Sequence, residues 1–254
     1  MKQFSTIILI LFTLSLFGQR NSTTNSNWHD FALKKEWYNI NNALSSEIIN
    51  IKIDTLNETK DSITYYKFQL DTIKNLITKI YFDANKKNKK SPKRFNSLFC
   101  FDSLGFPYEI DTKNNSYSKN SYSFNEQNLM VKENQWTYVY NNENQVIKAL
   151  SDTLHYRMNR PYSIVEFYYL EGQLSSEIIK DYTYEDNLVK TTTVNYIDRK
   201  GPYNLTINIT EFIHNIKSSK KTKIDIKKEC ITAFHYSQSD KLYSIDKLKI
   251  INKN

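Results

Sequence analysis

Apolar and polar residues alternate in short runs through most of this 254-residue chain, and polar clusters rich in Asn, Asp and Glu separate the runs. One phrase recurs within Tyr122–Tyr196: two aromatics two apart, a polar turn, then an aliphatic residue leading a second run. It reads Tyr122-Ser-Phe124-Asn-Glu-Gln-Asn-Leu129, then Tyr138-Val-Tyr140-Asn-Asn-Glu-Asn-Gln-Val146. Phe167-Tyr-Tyr169-Leu-Glu-Gly-Gln-Leu174 and Tyr182-Thr-Tyr184-Glu-Asp-Asn-Leu188 repeat it. Aromatics two apart share one face of a strand, and the polar cluster is turn chemistry, so each phrase predicts a β-hairpin. Phe99-Cys-Phe101-Asp102-Ser-Leu-Gly105-Phe106 is a further copy; Tyr66-Lys-Phe68, Ile80-Tyr-Phe82-Asp83 and Phe234-His-Tyr236 are fainter ones.

The alternation also assigns faces. Trp136, Tyr138 and Tyr140 fall on one side, Val165, Phe167 and Tyr169 oppose Glu166, and Tyr203–Phe212 alternates almost throughout. One apolar and one polar face marks antiparallel sheet, because parallel strands covered on both sides are apolar throughout. The first aromatics of the clear copies fall at 99, 122, 138, 167 and 182, an uneven spacing that suits a meander better than a solenoid of equal coils. Ile245–Ile251 reads as an edge strand guarded by lysines. Ahead of the strands, Phe31, Leu33, Trp37, Ile40, Leu44 and Ile48 stand close to helical spacing with Asp30 as a cap, predicting a helix over about 29–46. The predicted fold is mainly β: an antiparallel meander of aromatic-rich hairpin repeats over about 51–251, as an open or curled sheet, with one short N-terminal helix, in a single domain, 28–254.

The chain begins with Lys2, an almost wholly apolar run from Thr6 to Phe17, and Gly18-Gln19 as a cleavage site, which is the pattern of an export signal over 1–18. The run is too short to span a bilayer, which needs roughly 20 apolar residues. No Cys follows it, so a lipid-anchored form is not expected. Residues 19–27 are a polar lead, and no second long apolar run follows, so no transmembrane segment is expected after cleavage. The localisation this implies is exported, periplasmic or secreted.

Composition sharpens the turns. With 4 Gly in the chain, Asn and Asp must supply the left-handed backbone that turns require. Aromatic richness, with 19 Tyr and 14 Phe, predicts a core built as an aromatic stripe. The formal net charge is +8, yet Lys is spread over the chain, which disfavours nucleic acid as a partner. Two clusters exceed the background. Lys86, Lys87, Lys89, Lys90, Lys93 and Arg94 are the candidate polyanion contacts; Lys217–Lys228 forms the second, read as another exposed loop.

Catalytic chemistry is sparse. No His has metal-ligand spacing to another His or Cys, and neither a Gly-rich phosphate loop nor a Gly-x-Ser-x-Gly elbow occurs, so no metal, cofactor or catalytic residue is assigned and an enzyme is not expected. His235, between Phe234 and Tyr236, is expected to face solvent. Cys100 and Cys230 are the two cysteines, a possible disulfide in an oxidising compartment if the sheet curls. Tyr108 and Tyr168 are candidates for an exposed aromatic platform.

The phrase aromatic-x-Tyr/Phe-Asp/Asn-turn-Gly/Asn-x-Leu/Val resembles the tyrosine-aspartate repeats of the Rhs-type proteins and their degenerate relatives among small exported bacterial proteins. The Asp after the second aromatic stands at Asp83 and Asp102, and Gly in the turn at Gly105 and Gly172. The resemblance implies a scaffold of wound β-sheet without catalytic residues; this chain is too short to enclose a cargo domain. The expected function is a non-catalytic exported scaffold or binding protein acting on a protein partner or an envelope glycan. A glycan-binding module using exposed tyrosines and an enzyme of unrecognised type are the alternatives, and a cleft holding two carboxylates or a His–Asp pair would favour the last.

Overall fold

The computed structural model describes residues 32–53, 59–82, 95–102, 107–111, 116–117, 121–151, 162–183, 187–197, 203–216 and 218–251. A short helix, α1 (Lys35–Ile40), precedes seventeen strands. The first nine are β1 (Ser45–Ile53), β2 (Thr59–Asp71), β3 (Leu76–Tyr81), β4 (Phe95–Phe101), β5 (Pro107–Asp111), β6 (Ser116–Tyr117), β7 (Tyr122–Phe124), β8 (Met130–Glu133) and β9 (Trp136–Tyr140). The rest are β10 (Val146–Ser151), β11 (Tyr162–Leu170), β12 (Gln173–Tyr182), β13 (Leu188–Ile197), β14 (Leu205–Ile213), β15 (Ser218–Ile226), β16 (Cys230–Tyr236) and β17 (Leu242–Ile251). The predicted signal and lead, with Trp28 and Phe31, lie outside the described residues.

Every ladder is antiparallel. β2 to β6 pair in chain order, as do β7 to β17, and the two series are joined where the first strand meets the last, Ser45 opposite Ile251 and Lys52 opposite Ser244. The pairing order therefore runs from β6 back to β1, across to β17, and back down to β7. Its two ends, β6 and β7, are consecutive in the chain. On a flat sheet with strands ~4.8 Å apart they would lie more than about 70 Å from each other, whereas the few residues from 117 to 122 span less than ~20 Å. The sheet consequently curls. It is not closed: among the described residues no ladder joins β6 to β7, although Tyr122 Oη on β7 donates to Asp102 Oδ2, just past β4, at 2.6 Å.

The expected edge strand near the C-terminus is thus an interior one. β17 is flanked by β16 and β1, so Ile245–Ile251 has ladders on both sides. Pairing between strands two hundred residues apart leaves no local signature in a sequence. The helix is also shorter than its periodicity suggests. It stops at Asn41, Asn42 takes φ 48°, and the chain from Ser45 is strand. Positions 44 and 48 fit a helical period, yet Ser46 and Ile48 both point inward as alternate residues of β1.

Two clusters fill the inner face. The larger is mainly aliphatic, with Ile48, Ile77, Val194, Ile207, Ile209, Ile224, Ile226, Ile231 and Leu248 around Trp37, Tyr38 and Phe68. Trp37 and Tyr38 are fully buried, so α1 lies inside the curl. Its polar atoms are provided for: Trp37 Nε1 donates to the Lys228 carbonyl at 2.8 Å, and Tyr38 Oη meets Ala32 O at 2.7 Å and Ser46 Oγ at 2.9 Å. The second cluster is the predicted aromatic stripe: Tyr138 and Phe167 with Met130, Val146, Ala149 and Val165, flanked by Tyr122, Trp136, Tyr140 and Tyr169.

The hairpin phrase has a local cause. In 125–129, 141–145 and 237–241 the amide of the first residue donates to the carbonyl of the fifth, and that of the fourth to the carbonyl of the first. Asn125 Oδ1 accepts from the amides of Gln127 and Leu129, and Asn141 Oδ1 from those of Glu143 and Gln145. Ser237 Oγ accepts from Lys241. The polar residue after the second aromatic is therefore the turn's own cap. The fourth residue is left-handed in each, Asn128, Asn144 and Asp240, and Asn42, Asn75 and Asn134 do the same work elsewhere. Among the described residues the 171–172 turn is the one that uses Gly, with Glu171 at φ 50° and Gly172 at φ 74°; the predicted turn at Gly105 lies outside the described residues.

Candidate functional site

The inner face holds its polar groups in pairs and chains. Tyr138 Oη donates to Glu133 Oε2 at 3.0 Å, and Tyr196 Oη donates to Glu177 Oε1; both glutamates are buried, Glu177 completely. Tyr140 and Tyr169 reach the carbonyls of Met130 and Val146. Burial, and secondarily the charge of Glu177, pushes the Tyr169 phenol up to about 12. Tyr203 rises to about 12 by burial and, after it, Glu36. Burial also lifts Tyr38 well above the ordinary phenol range, against the opposing bond to Ser46.

A second chain crosses β15, β16, β17 and β1. Thr222 Oγ1 lies 3.2 Å from His235 Nδ1, and His235 Nε2 lies 3.0 Å from Asp246 Oδ2. Asn50 Nδ2 then donates to Asp246 Oδ1 and to Ser244 Oγ. His235 is therefore paired and largely buried instead of facing solvent. Ile231 and Ala233 are the core positions of β16, and His235 continues their face, leaving Phe234 and Tyr236 outside. The aromatic phrase predicts Phe234 and Tyr236 as the inward set, whereas Ile231 and Ala233 take the inner face.

This arrangement sets a hydroxyl, an imidazole and a carboxylate in a row, the order of a nucleophile relay. Thr222, however, sits mid-strand with β14 on one side and β16 on the other. Ladders on both flanks consume the local N–H groups that an oxyanion would need. What the chain of bonds does chemically is to satisfy half-buried polar groups across four strands.

The outer face carries the accessible features. On β9, β10 and β11, Val139, Ile147, Tyr168 and Leu170 are exposed, Leu170 by 69 %. A bulge after Val146 turns Ile147 outward beside Lys148, and plain alternation along β11 points Tyr169 in while Tyr168 and Leu170 stay out, the extra residue at that level being Ser175 of β12. Glu166 and Lys180 border this quartet in an ion pair of 2.8 Å, and the Lys180 hydrogen bond holds the Glu166 carboxyl below its usual range. A separate groove lies over β14, β15 and β16, lined by Asn208, Thr210, Lys221, Lys223, Tyr236 and Asp240.

The residues singled out from sequence are dispersed. The polyanion candidates Lys86–Arg94 lie outside the described residues. The second basic cluster is not a loop: Ser218–Ile226 is the interior strand β15, with Lys221 paired to Asp240 and Lys223 to Asp225. Alternating Lys and Thr there are an ordinary wet face. Cys100 and Cys230 are free thiols. Each occupies an outward position, next to inward Phe99 and Ile231, with β3, β2, β1 and β17 between their strands, so curling the sheet moves them apart instead of joining them. Tyr168 is exposed while Tyr108, on β5, is half-buried, and their strands are well separated in the pairing order, so they share no platform. Among the described residues no three His, Cys, Asp or Glu side chains gather as a metal site, and no helix is long and apolar enough to cross a membrane. The sequence pointed to Tyr168 but not to its three companions or to the groove, because the bulge in β10 and the register between strands decide which side chains meet.

No protein-family model matches the chain, and a comparison with curated proteins finds no match.

Proposed function

We propose that this chain is an exported, non-catalytic scaffold of the degenerate tyrosine-aspartate repeat kind that binds a protein partner on the outer face of its curled sheet. The observation that carries the reading is the quartet Val139, Ile147, Tyr168 and Leu170, four large apolar side chains exposed on three adjacent strands. An apolar patch rimmed by charge, here Glu166, Lys180 and Lys148, suits a protein interface, with tyrosine as its anchor. Non-catalysis is supported by the inner face, where His235 has both ring nitrogens engaged by strand neighbours and the tyrosine hydroxyls described above serve the core. Export rests on the apolar run that ends at Phe17 and the cleavage site at Gly18.

A photo-crosslinking residue placed at 139 or 170, in the cells that make the protein, tests the interface. One adduct of constant mass is expected at both sites, absent with the probe at Asn195 and lost when Tyr168→Asp is added. No adduct, or equal adducts at all three positions, contradicts the reading. Amino-terminal sequencing of the purified product is expected to begin at Gln19, and a product that keeps Met1 contradicts export.

A further inference from the structure

We infer that the groove over β14, β15 and β16 is a binding site for a neutral glycan chain. Pairing register builds it. Asn208 faces Lys223, Thr210 faces Lys221, and Lys221 faces Tyr236, so side chains of three adjacent strands stand in two rows on the outer surface. Strand spacing sets neighbouring rows of polar groups ~4.8 Å apart. The result is a short polar floor with one aromatic wall.

The charges in the groove cancel. Lys221 Nζ sits 2.7 Å from Asp240 Oδ1, and Lys223 Nζ sits 3.4 Å from Asp225 Oδ1, which Thr206 also reaches. A polyanion would have to displace those carboxylates. What remains is hydrogen-bonding capacity without net charge. Among the described residues the side chains of Asn208 and Thr210 form no hydrogen bond, and neither does the Tyr236 hydroxyl. That sets Tyr236 apart from Tyr38, Tyr122, Tyr138, Tyr140, Tyr169 and Tyr196, whose hydroxyls all have partners inside the protein. Tyr236 is half-buried and lines the groove as its aromatic wall.

A pyranose presents two surfaces, an apolar C–H face and a rim of hydroxyls that both donate and accept. The Tyr236 ring matches the first. The amide of Asn208, which donates and accepts at once, the hydroxyl of Thr210 and the carboxylate of Asp240 match the second. A few convergent polar groups beside an aromatic surface are what orient a small ligand in a shallow site. The quartet on β9–β11 offers no such mixture. The site is separate from the proposed protein interface and stands whether or not that interface does.

Native gels cast with neutral soluble polysaccharides (hydroxyethyl cellulose, xylan, glucomannan, laminarin and dextran) and one polyanion, polygalacturonate, test the inference on the folded full-length product. At least one neutral polymer is expected to retard the protein, and polygalacturonate is not. Tyr236→Ala should weaken retardation at least tenfold and Asn208→Ala several-fold, while Tyr168→Ala leaves it unchanged. Thermal melting of each variant separates loss of the groove from loss of the fold, and Asn208→Ala, an outward polar truncation, keeps the test valid if Tyr236→Ala melts early. Retardation by none of the neutral polymers, retardation by polygalacturonate alone, or wild-type retardation in folded variants of Tyr236 and Asn208 overturns the site.

Discussion

The strands around α1 and the strands from β7 to β12 solve the same problem by different means. Around α1 the core is mainly aliphatic, its strands are long, and one of its ladders joins the first strand of the chain to the last. From β7 to β12 the strands start at three residues, pair only with sequence neighbours, and bury tyrosines whose hydroxyls require partners such as Glu133 and the carbonyls of Met130 and Val146. The first region depends on contacts made late and far apart in sequence, and stores its stability in apolar area. The second forms from local hairpins whose turns carry their own caps, and spends part of its burial on compensating polar groups. Burying tyrosine instead of isoleucine confers specificity, since each hydroxyl fits one partner, but it makes that region the weaker one.

Removing the helix's anchor should have the largest effect. Trp37→Ala deletes a fully buried ring and its bond to the Lys228 carbonyl, and is expected to cost about 3–5 kcal/mol in denaturant melts. A loss below about 1 kcal/mol would mean that α1 does not hold the curl. Next, Tyr196→Phe removes the donor to Glu177, a completely buried carboxylate, with an expected cost of about 1–3 kcal/mol. If that hydroxyl is incidental, Tyr196→Phe will melt like wild type.

Alkaline titration reads both regions at once. Tyr169 lies in the hairpin half and Tyr203 packs against the helix half, and each phenol is raised from 10.0 to about 12. A raised folded value means that the folded state keeps protons the unfolded chain would release. Their contribution is complete below pH 10 and is lost as pH climbs toward 12. Absorbance at 295 nm should show a late-ionising tyrosine fraction that appears together with unfolding; a single transition near pH 10 in folded protein would contradict the burial described. The smallest effect belongs to the exposed pair. Lys180→Ala should cost no more than about 1 kcal/mol at neutral pH, because Glu166 and Lys180 are both about a third exposed. Glu166 is lowered by Lys180, so that contribution is present above the ordinary glutamate range and fades as pH falls through it. The variant and wild type should therefore converge in acid.

The sequence displayed the half made by local rules. Asn125 and Asn141 follow an aromatic pair because their side chains cap the turn, and period two then places Tyr138, Tyr140, Phe167 and Tyr169 inward. A glycine-poor chain also announced its left-handed asparagines. The other half was hidden because its determinants are not local. Nothing in Ile245–Ile251 reveals β1 as a neighbour, and nothing near Asp246 reveals Asn50. Phe234 and Tyr236 copied the aromatic phrase yet face outward, since Ile231 and Ala233 suited the crowded side below α1 better than rings would. The outer quartet depends on the extra residue Ile147 in β10, which shifts that strand's parity by one residue without altering the pattern that a reader of the sequence sees.

The division into two regions is tested most directly by amide hydrogen exchange of the full-length protein, read by peptide mass. Amides of β1, β16 and β17 are expected to exchange last and together, as one unit that opens only on global unfolding, with β7, β8 and β9 exchanging earlier. Early exchange in β1 and β17, with late exchange in β7–β9, would mean that the β1–β17 ladder does not anchor the sheet and that the hairpins are the stable core.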